Sequence, residues 1–194
     1  KIKFKKGDIR NYKKLKSISG NFDTVIHLAY VNGTKFFYKK PFEILDIAAN
    51  GLLNILKFSK EKKVKNFYLA SSSEVYQNPL HFPTDENEML KIPDIHNPRY
   101  SYGGGKIFSE LYGIHFAKKY FKKFIIFRPH NVYGKDMGND HVIPEFINRF
   151  KNIGSKKKFL IYGTGNEIRS FIYIDDFVSG FDKLFRKGKN QEIY

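Results

Sequence analysis

Tyr102 and Lys106 stand four residues apart in "RYSYGGGKIFSE", residues 99–110. At that spacing a phenol and an amine share one face of a helix. A phenol ionises near pH 10, so bringing it to about 7 takes roughly 4 kcal/mol of preferential phenolate stabilisation. A neighbouring ammonium supplies part of that. With a serine hydroxyl beside them, such a pair suits oxidation of an alcohol. The phenolate takes the proton while hydride leaves for an acceptor such as an oxidised nicotinamide, and the amine holds a ribose. Ser72, in "YLASSSEVY", is the serine placed to join them. A second pair at the same spacing, Tyr12 and Lys16, has no such setting and reads as surface. Three glycines, 103–105, lie between Tyr102 and Lys106. Each costs about 1 kcal/mol against alanine inside a helix. A helix face without side chains lets a cofactor or a neighbouring helix approach its backbone closely.

The elements that must hold these residues alternate. "DTVIHLA" (23–29) is a short apolar run and reads as a buried strand. Residues 41–63 carry Ile44, Ile47, Ala48, Leu52, Ile55 and Leu56 at helical spacing, with Pro41 in the first turn. "KNFYLASSS" (65–73) is a second strand, and a polar loop follows from Gln77 to about Pro98. The glycine-opened helix runs to about Tyr120, and "KFIIFRPHNVYG" (123–134) is a third strand with its exit loop. Residues 141–152 read as a helix, 156–165 and 169–176 as strands, and 175–187 as a last helix. Alternating strands and helices predict an α/β fold: a Rossmann-like doubly wound parallel sheet. In such sheets ligands bind beyond the carboxyl ends of the strands. His27–Ala29, Ser71–Glu74 and Arg128–Asn131 would gather along that edge.

Composition narrows the partners. The net charge is +16, but only six of the 35 basic residues are arginine, the side chain favoured for bidentate contacts to bases and phosphates. Scattered lysine pairs read as solvated faces, which disfavours a nucleic-acid surface. Cysteine is absent, so disulfides and cysteine-based zinc sites are excluded. The six histidines show no metal spacing, and no metal is expected. No apolar run is long enough to span a membrane. No signal-peptide core opens the chain, and cytoplasmic location is the expectation. The lack of a starting Met suggests a fragment.

The ordered set "GDIRN", "DTVIHLAY", "YLASSSEVY", "YSYGGGK", "RPHNVYG" and "GTGNEIRSFIYIDD" resembles the extended short-chain dehydrogenase/reductases of the NAD-dependent nucleotide-sugar epimerase/dehydratase family. The resemblance implies catalytic roles for Ser72, Tyr102 and Lys106, with Glu74 as a further candidate. It implies cofactor contacts from Asp8, Ile9, Leu28, Ala29, Tyr30, Ser71, Tyr102, Lys106 and Pro129, and substrate contacts from Ser73, Asn131 and Arg169. The implied cofactor is NAD, with NADP left open because the residue choosing between them is expected upstream. The family's glycine-rich first turn is absent and Gln77 replaces its usual glycine, so the sheet is expected to be incomplete. The expected organisation is a cofactor-binding core over 1–135, part of a small substrate-binding lobe over 136–170, and a return to the core over 171–194. A homodimer through the 41–63 and 101–120 helices is implied in the same way.

Members share oxidation at the sugar C4 and then differ. An epimerase returns hydride to the other face; a dehydratase removes the C5 proton and expels the C6 hydroxyl, which requires a further carboxylate. Glu74 is either that base or a loop-fixing charge. A decarboxylase or reductase of the same fold, or a catalytically idle nucleotide- or RNA-binding relative, is the alternative.

Overall fold

The computed structural model describes residues 2–139, 141–154, 158–161 and 163–194. Its contacts divide the chain into two units: residues 1–129 with 188–194, and residues 130–187.

The first unit is built on three parallel strands, β1 (Thr24–His27), β2 (Asn66–Ala70) and β3 (Lys123–Phe127), in the order β1-β2-β3. Thr24 pairs with Asn66, and Asn66 with Lys123, so the strands end level at His27, Ala70 and Phe127. The chain's last residues run along the far edge of β3: Arg128 N donates to Tyr194 O at 2.7 Å and Tyr194 N to Ile126 O at 3.1 Å. In β2 and β3 four of five residues are buried, as expected of a parallel sheet covered on both faces. Phe67, Leu69, Phe124 and Ile126 pack on one face against Leu52, Leu56 and Ala117. This is a Rossmann-like parallel sheet with flanking helices. At β1 the side chains of Ile26 and Leu28 remain exposed.

Ahead of β1 lies a short helix, α1 (Tyr12–Lys16); after it come α2 (Thr34–Lys39) and the helix predicted over 41–63. The latter is α3 (Pro41–Asp46), a single π turn (Ile47–Gly51) and α4 (Leu52–Glu61). The turn's Gly51 lies under Ile9; a Cβ there would meet Ile9 Cδ1 at 2.6 Å. Asn54 Nδ2 donates to Ile9 O at 3.0 Å and to Arg10 O at 2.8 Å, fastening the 7–11 segment to the helix.

α5 (Ser101–Tyr120) is entered through a 3₁₀ turn, Pro98–Tyr100. Asn97 caps that turn, its Oδ1 accepting from Arg99 N at 3.0 Å, so the helix start is anchored upstream of its glycines. The close neighbours of those glycines are protein. A Cβ on Gly103 would meet Glu74 O at 3.0 Å, and one on Gly105 would strike the Tyr30 hydroxyl and Ala48 Cβ. The propensity lost in α5 thus admits the π turn and the loop after β2 to its backbone.

The second unit holds β4 (Asn131–Tyr133) paired in parallel with β5 (Phe171–Tyr173), together with α6 (Val142–Lys151) and α7 (Ile174–Lys187). These boundaries differ from the expected 135 and 170. β4, read from sequence as an exit loop, takes β5 as its partner, so β5 and α7 stay in the second unit and only 188–194 return to the core. Of the strand expected over 156–165, residues 156, 157 and 162 lie outside the described residues, and 158–161 form no strand.

Candidate active site

Three segments of the first unit meet at the ends of the strands. Beyond β1 comes Tyr30; beyond β2 come Ser71–Glu74; from the first turns of α5 come Tyr102 and Lys106. Ser72 and Tyr102 are 8% and 7% exposed and Lys106 is 4% exposed. The Ser72 hydroxyl lies close enough to the Tyr102 phenol to favour its ionised form, and it accepts from Glu74 N at 3.2 Å. Lys106 Nζ donates to Ala70 O at 2.7 Å. It lies 4.0 Å from the Tyr30 ring centre and 5.5 Å from that of Tyr102. Tyr102 is clamped between Tyr30, edge-on at 5.1 Å, and Phe37, stacked at 5.1 Å. Serine, phenol and amine expected to act together are in one place, and their rotamers are fixed by packing.

Burial dominates their electrostatics in the protein alone. It pushes the Tyr102 phenol up to about 12; the Ser72 hydroxyl opposes this and the Glu74 charge adds to it. The Lys106 ammonium sits over rings and on Ala70 O, and burial brings it down to about 7, with Glu110 holding it up. Burial likewise raises the Tyr30 phenol, helped by Tyr102. Burial and Lys106 take the His27 imidazole down to about 4, so it is neutral at pH 7. The protein alone therefore keeps Tyr102 a neutral phenol at pH 7. Of the ammonium's three N–H groups, one is committed to Ala70 O, leaving two for other acceptors.

Glu74 is fixed from the other side. One Arg99 nitrogen donates to both of its carboxylate oxygens at 2.9 Å. The Arg99 guanidinium rests 5.2 Å from the Phe37 ring centre. Its other terminal nitrogen is buried with no hydrogen-bond partner.

The remaining expected contacts are spread differently. Ser71 is buried with its hydroxyl turned inward to Glu110 and its N–H given to Phe127 O, so its side chain faces away from any ligand. Ser73 and Pro129 are half-buried and joined, Ser73 N donating to Pro129 O at 3.1 Å. Leu28 and Ala29 are exposed beyond β1. The Asp8 carboxylate, lowered by its hydrogen bonds from Arg10, shares that guanidinium with Asp46. Asn131 and Arg169 belong to the second unit, where Asn131 Nδ2 donates to Ser170 O at 3.0 Å. Arg169 is exposed, its guanidinium on Ile168 O, rather than held in a buried ion pair. Just before it, the Glu167 carboxylate accepts from Thr164 N and Gly165 N, closing the "GTGNE" loop.

Arg99, Glu110 and Arg128 were not singled out from sequence. For Glu110 a signal was present: it lies one turn beyond Lys106, an acid on the inward face of α5.

A family model described as "NAD dependent epimerase/dehydratase family" matches residues 1–194. The chain is similar to a dTDP-D-glucose 4,6-dehydratase of Dictyostelium discoideum, 34% identical, covering 100% of this chain and 45% of that protein. It is also similar to a UDP-glucuronate 4-epimerase of Thermodesulfobacterium geofontis (strain OPF15), 33% identical, covering 92% and 53%. Among solved structures, a UDP-glucose 4-epimerase of Thermotoga maritima superposes with a TM-score of 0.81 at 26% identity, covering 97% of this chain and 60% of that one. A dTDP-glucose 4,6-dehydratase of Streptomyces venezuelae shares the fold, with a TM-score of 0.84 at 22% identity and coverage of 97% and 56%. The chain spans about half the length of the curated relatives it matches.

Proposed function

We propose, on the premise that this chain belongs to the NAD dependent epimerase/dehydratase family, that it oxidises a nucleotide-bound sugar at C4 and then dehydrates it across C5 and C6. The observation that carries the oxidation is the burial of Ser72, Tyr102 and Lys106 together, with Lys106 one helical turn along from Tyr102 and its Nζ 5.5 Å from that ring's centre.

The residues present suit a dinucleotide. Lys106 has two uncommitted N–H groups for ribose hydroxyls, and the Tyr30 hydroxyl is buried without a hydrogen-bond partner. Asp8 and Ile9 would take the adenosine end; Leu28, Ala29, Tyr30, Tyr102, Lys106 and Pro129 the nicotinamide end. Ser71 contributes through its backbone position. NAD or NADP, when bound, supplies the hydride acceptor. Tyr102 receives the C4 hydroxyl proton, and Ser72 orients that hydroxyl and hydrogen-bonds the phenolate. Ser73 and Asn131 are assigned to the sugar nucleotide and Arg169 to its pyrophosphate, where a guanidinium fork matches paired oxygens. Once C4 is a ketone the C5 proton is acidified. Glu74, ion-paired with Arg99 and close enough to Tyr102 for its charge to act on that phenol, would remove that proton.

The same Arg99 pair favours a second reading, in which Glu74 only fixes the loop and the reaction is C4 epimerisation. Turnover of dTDP-, UDP- and GDP-hexoses, with products weighed and their C4 configuration read by NMR, separates the two. The dehydratase reading expects loss of water and, with the hydride taken from C4 returned to C6 and a proton to C5, a 4-keto-6-deoxy sugar. It also expects that Glu74→Gln still forms the 4-keto sugar but loses elimination by about 10²-fold or more. An inverted C4 with the C6 oxygen retained overturns it.

Cytoplasmic location and a homodimer belong to the same reading. No helix among the described residues is long and apolar enough to cross a membrane. Phe42 and Leu45 on α3, and Phe108, Leu111 and Tyr112 on α5, are exposed apolar side chains on the two helices expected to pair. Sedimentation should return twice the monomer mass, and Leu111→Glu should halve it; a monomeric wild-type protein removes the dimer.

A further inference from the structure

We infer that the buried Glu110–Arg128 pair is the positioning device of the site: it bolts the exit of β2 to α5, so setting Ser72 against Tyr102, and provides the counter-charge of Lys106. The inference rests on the proposed reaction for its meaning in catalysis, but one of its consequences is readable without turnover.

Glu110 is 2% exposed and Arg128 8%. Arg128 Nε donates to Glu110 Oε1 at 2.9 Å, and its NH2 nitrogen to Oε2 at 2.5 Å. The Ser71 hydroxyl donates to the same Oε1. The other terminal nitrogen of Arg128 donates to the Tyr76 hydroxyl at 2.8 Å and to Glu86 O at 3.0 Å. One ion pair thus joins α5, the residue after β3, the residue after β2 and the loop beyond. The catalytic serine is held on both sides. Before it, Ala70 O is bonded by Lys106 and the Ser71 side chain by Glu110; after it, Ser73 N is bonded to Pro129 O. A buried ion pair is poor value for stability alone, since desolvation offsets much of its attraction. Its use lies in geometry: a misplacement of about 1 Å at a reacting centre costs about 10²-fold in rate.

The charge has its own role. Lys106 faces the Tyr30 and Tyr102 rings, His27, which its own charge helps keep neutral, and Glu110 one turn along its helix. Both phenols are pushed up by burial and His27 down, so Glu110 is the acidic group that favours the ammonium.

The experiment compares Glu110→Gln and Ser71→Ala with the wild type. Gln keeps shape and an acceptor for Ser71 but drops the charge. Expected for Glu110→Gln is a fall in kcat of about 10²-fold with KM for the nucleotide sugar nearly unchanged. The Lys106 titration, read by NMR of ¹³C-labelled lysine without nucleotide, should move to lower pH. Ser71→Ala should lower kcat and leave that titration in place. A kcat that falls equally at all pH, with the Lys106 titration unmoved, overturns the inference. Should Glu110→Gln fail to fold, Ser71→Ala decides, and wild-type kcat there overturns it. Should the wild type turn over no nucleotide sugar, the proposed reaction fails, and the lysine titration alone decides the inference.

Discussion

Tyr102→Phe is expected to abolish turnover while leaving the fold and substrate affinity intact. The phenol is 7% exposed and packed by Tyr30 and Phe37 rings, contacts that phenylalanine keeps. What it loses is the oxygen near Ser72 that the proposed reaction uses to take the substrate proton. General-base catalysis of this kind contributes about 10²–10⁴-fold. The demand here is large, because carrying the phenol from about 12 to near 7 takes roughly 7 kcal/mol. That energy is available only in the complex, where substrate hydroxyl, Ser72, the Lys106 ammonium and a cationic cofactor ring act together. The fall should therefore appear in kcat, with KM nearly constant. Steady-state kinetics and the absorbance of reduced nicotinamide in single turnover measure it. Turnover within tenfold of wild type would remove Tyr102 from the chemistry.

That residue was legible in the sequence because its argument is local. Tyr102 and Lys106 are neighbours by helical spacing alone, and Ser72 follows from a strand running into small polar residues. The charges around them were not legible. Spacing suggests that a nearby ammonium and a cationic cofactor ring lower the phenol, but it does not show burial, which acts on both groups and leaves Tyr102 high and Lys106 low in the protein alone. Arg99 and Glu74 meet across 25 residues and Arg128 and Glu110 across 18; no periodicity encodes such pairs. β4 escaped for a related reason: three residues form a strand only through pairing with Phe171–Tyr173. The π turn in the 41–61 helix left no mark on its apolar spacing. It brings Ala48 against Gly105, while Gly103 lies against the Glu74 carbonyl, so at these two positions the stretch between Tyr102 and Lys106 needs a bare backbone.

Lys106→Met is expected to make the nucleotide-free protein more stable at neutral and acid pH while destroying its activity. Lys106 is 4% exposed, and burial brings its ammonium to about 7, against about 10.4 in the unfolded chain. From about pH 7 to 10.5 the unfolded chain binds the extra proton. Wild-type stability therefore rises with pH through that window, and below pH 7 the whole penalty, roughly 5 kcal/mol, is in force. In the difference between variant and wild type the burial shift of Tyr102 is common to both, and the Lys106 effect on His27 acts below pH 7, outside that window. Methionine fills the same linear volume without charge. It forfeits the 2.7 Å bond to Ala70 O, about 1 kcal/mol, and the contact over the Tyr30 ring, another 0.5–2 kcal/mol or so. The balance favours the variant at pH 6 and the wild type near pH 10. Denaturant melts at pH 6, 8 and 10 would show the difference shrinking and changing sign; a gap that stays constant with pH contradicts a buried, destabilised ammonium. Adding dinucleotide should restore stability to the wild type alone, because binding to the native state is what compensates the buried charge. Under the proposed reaction, such a cost to the free fold is offset by the ribose and the phenolate that Lys106 would serve.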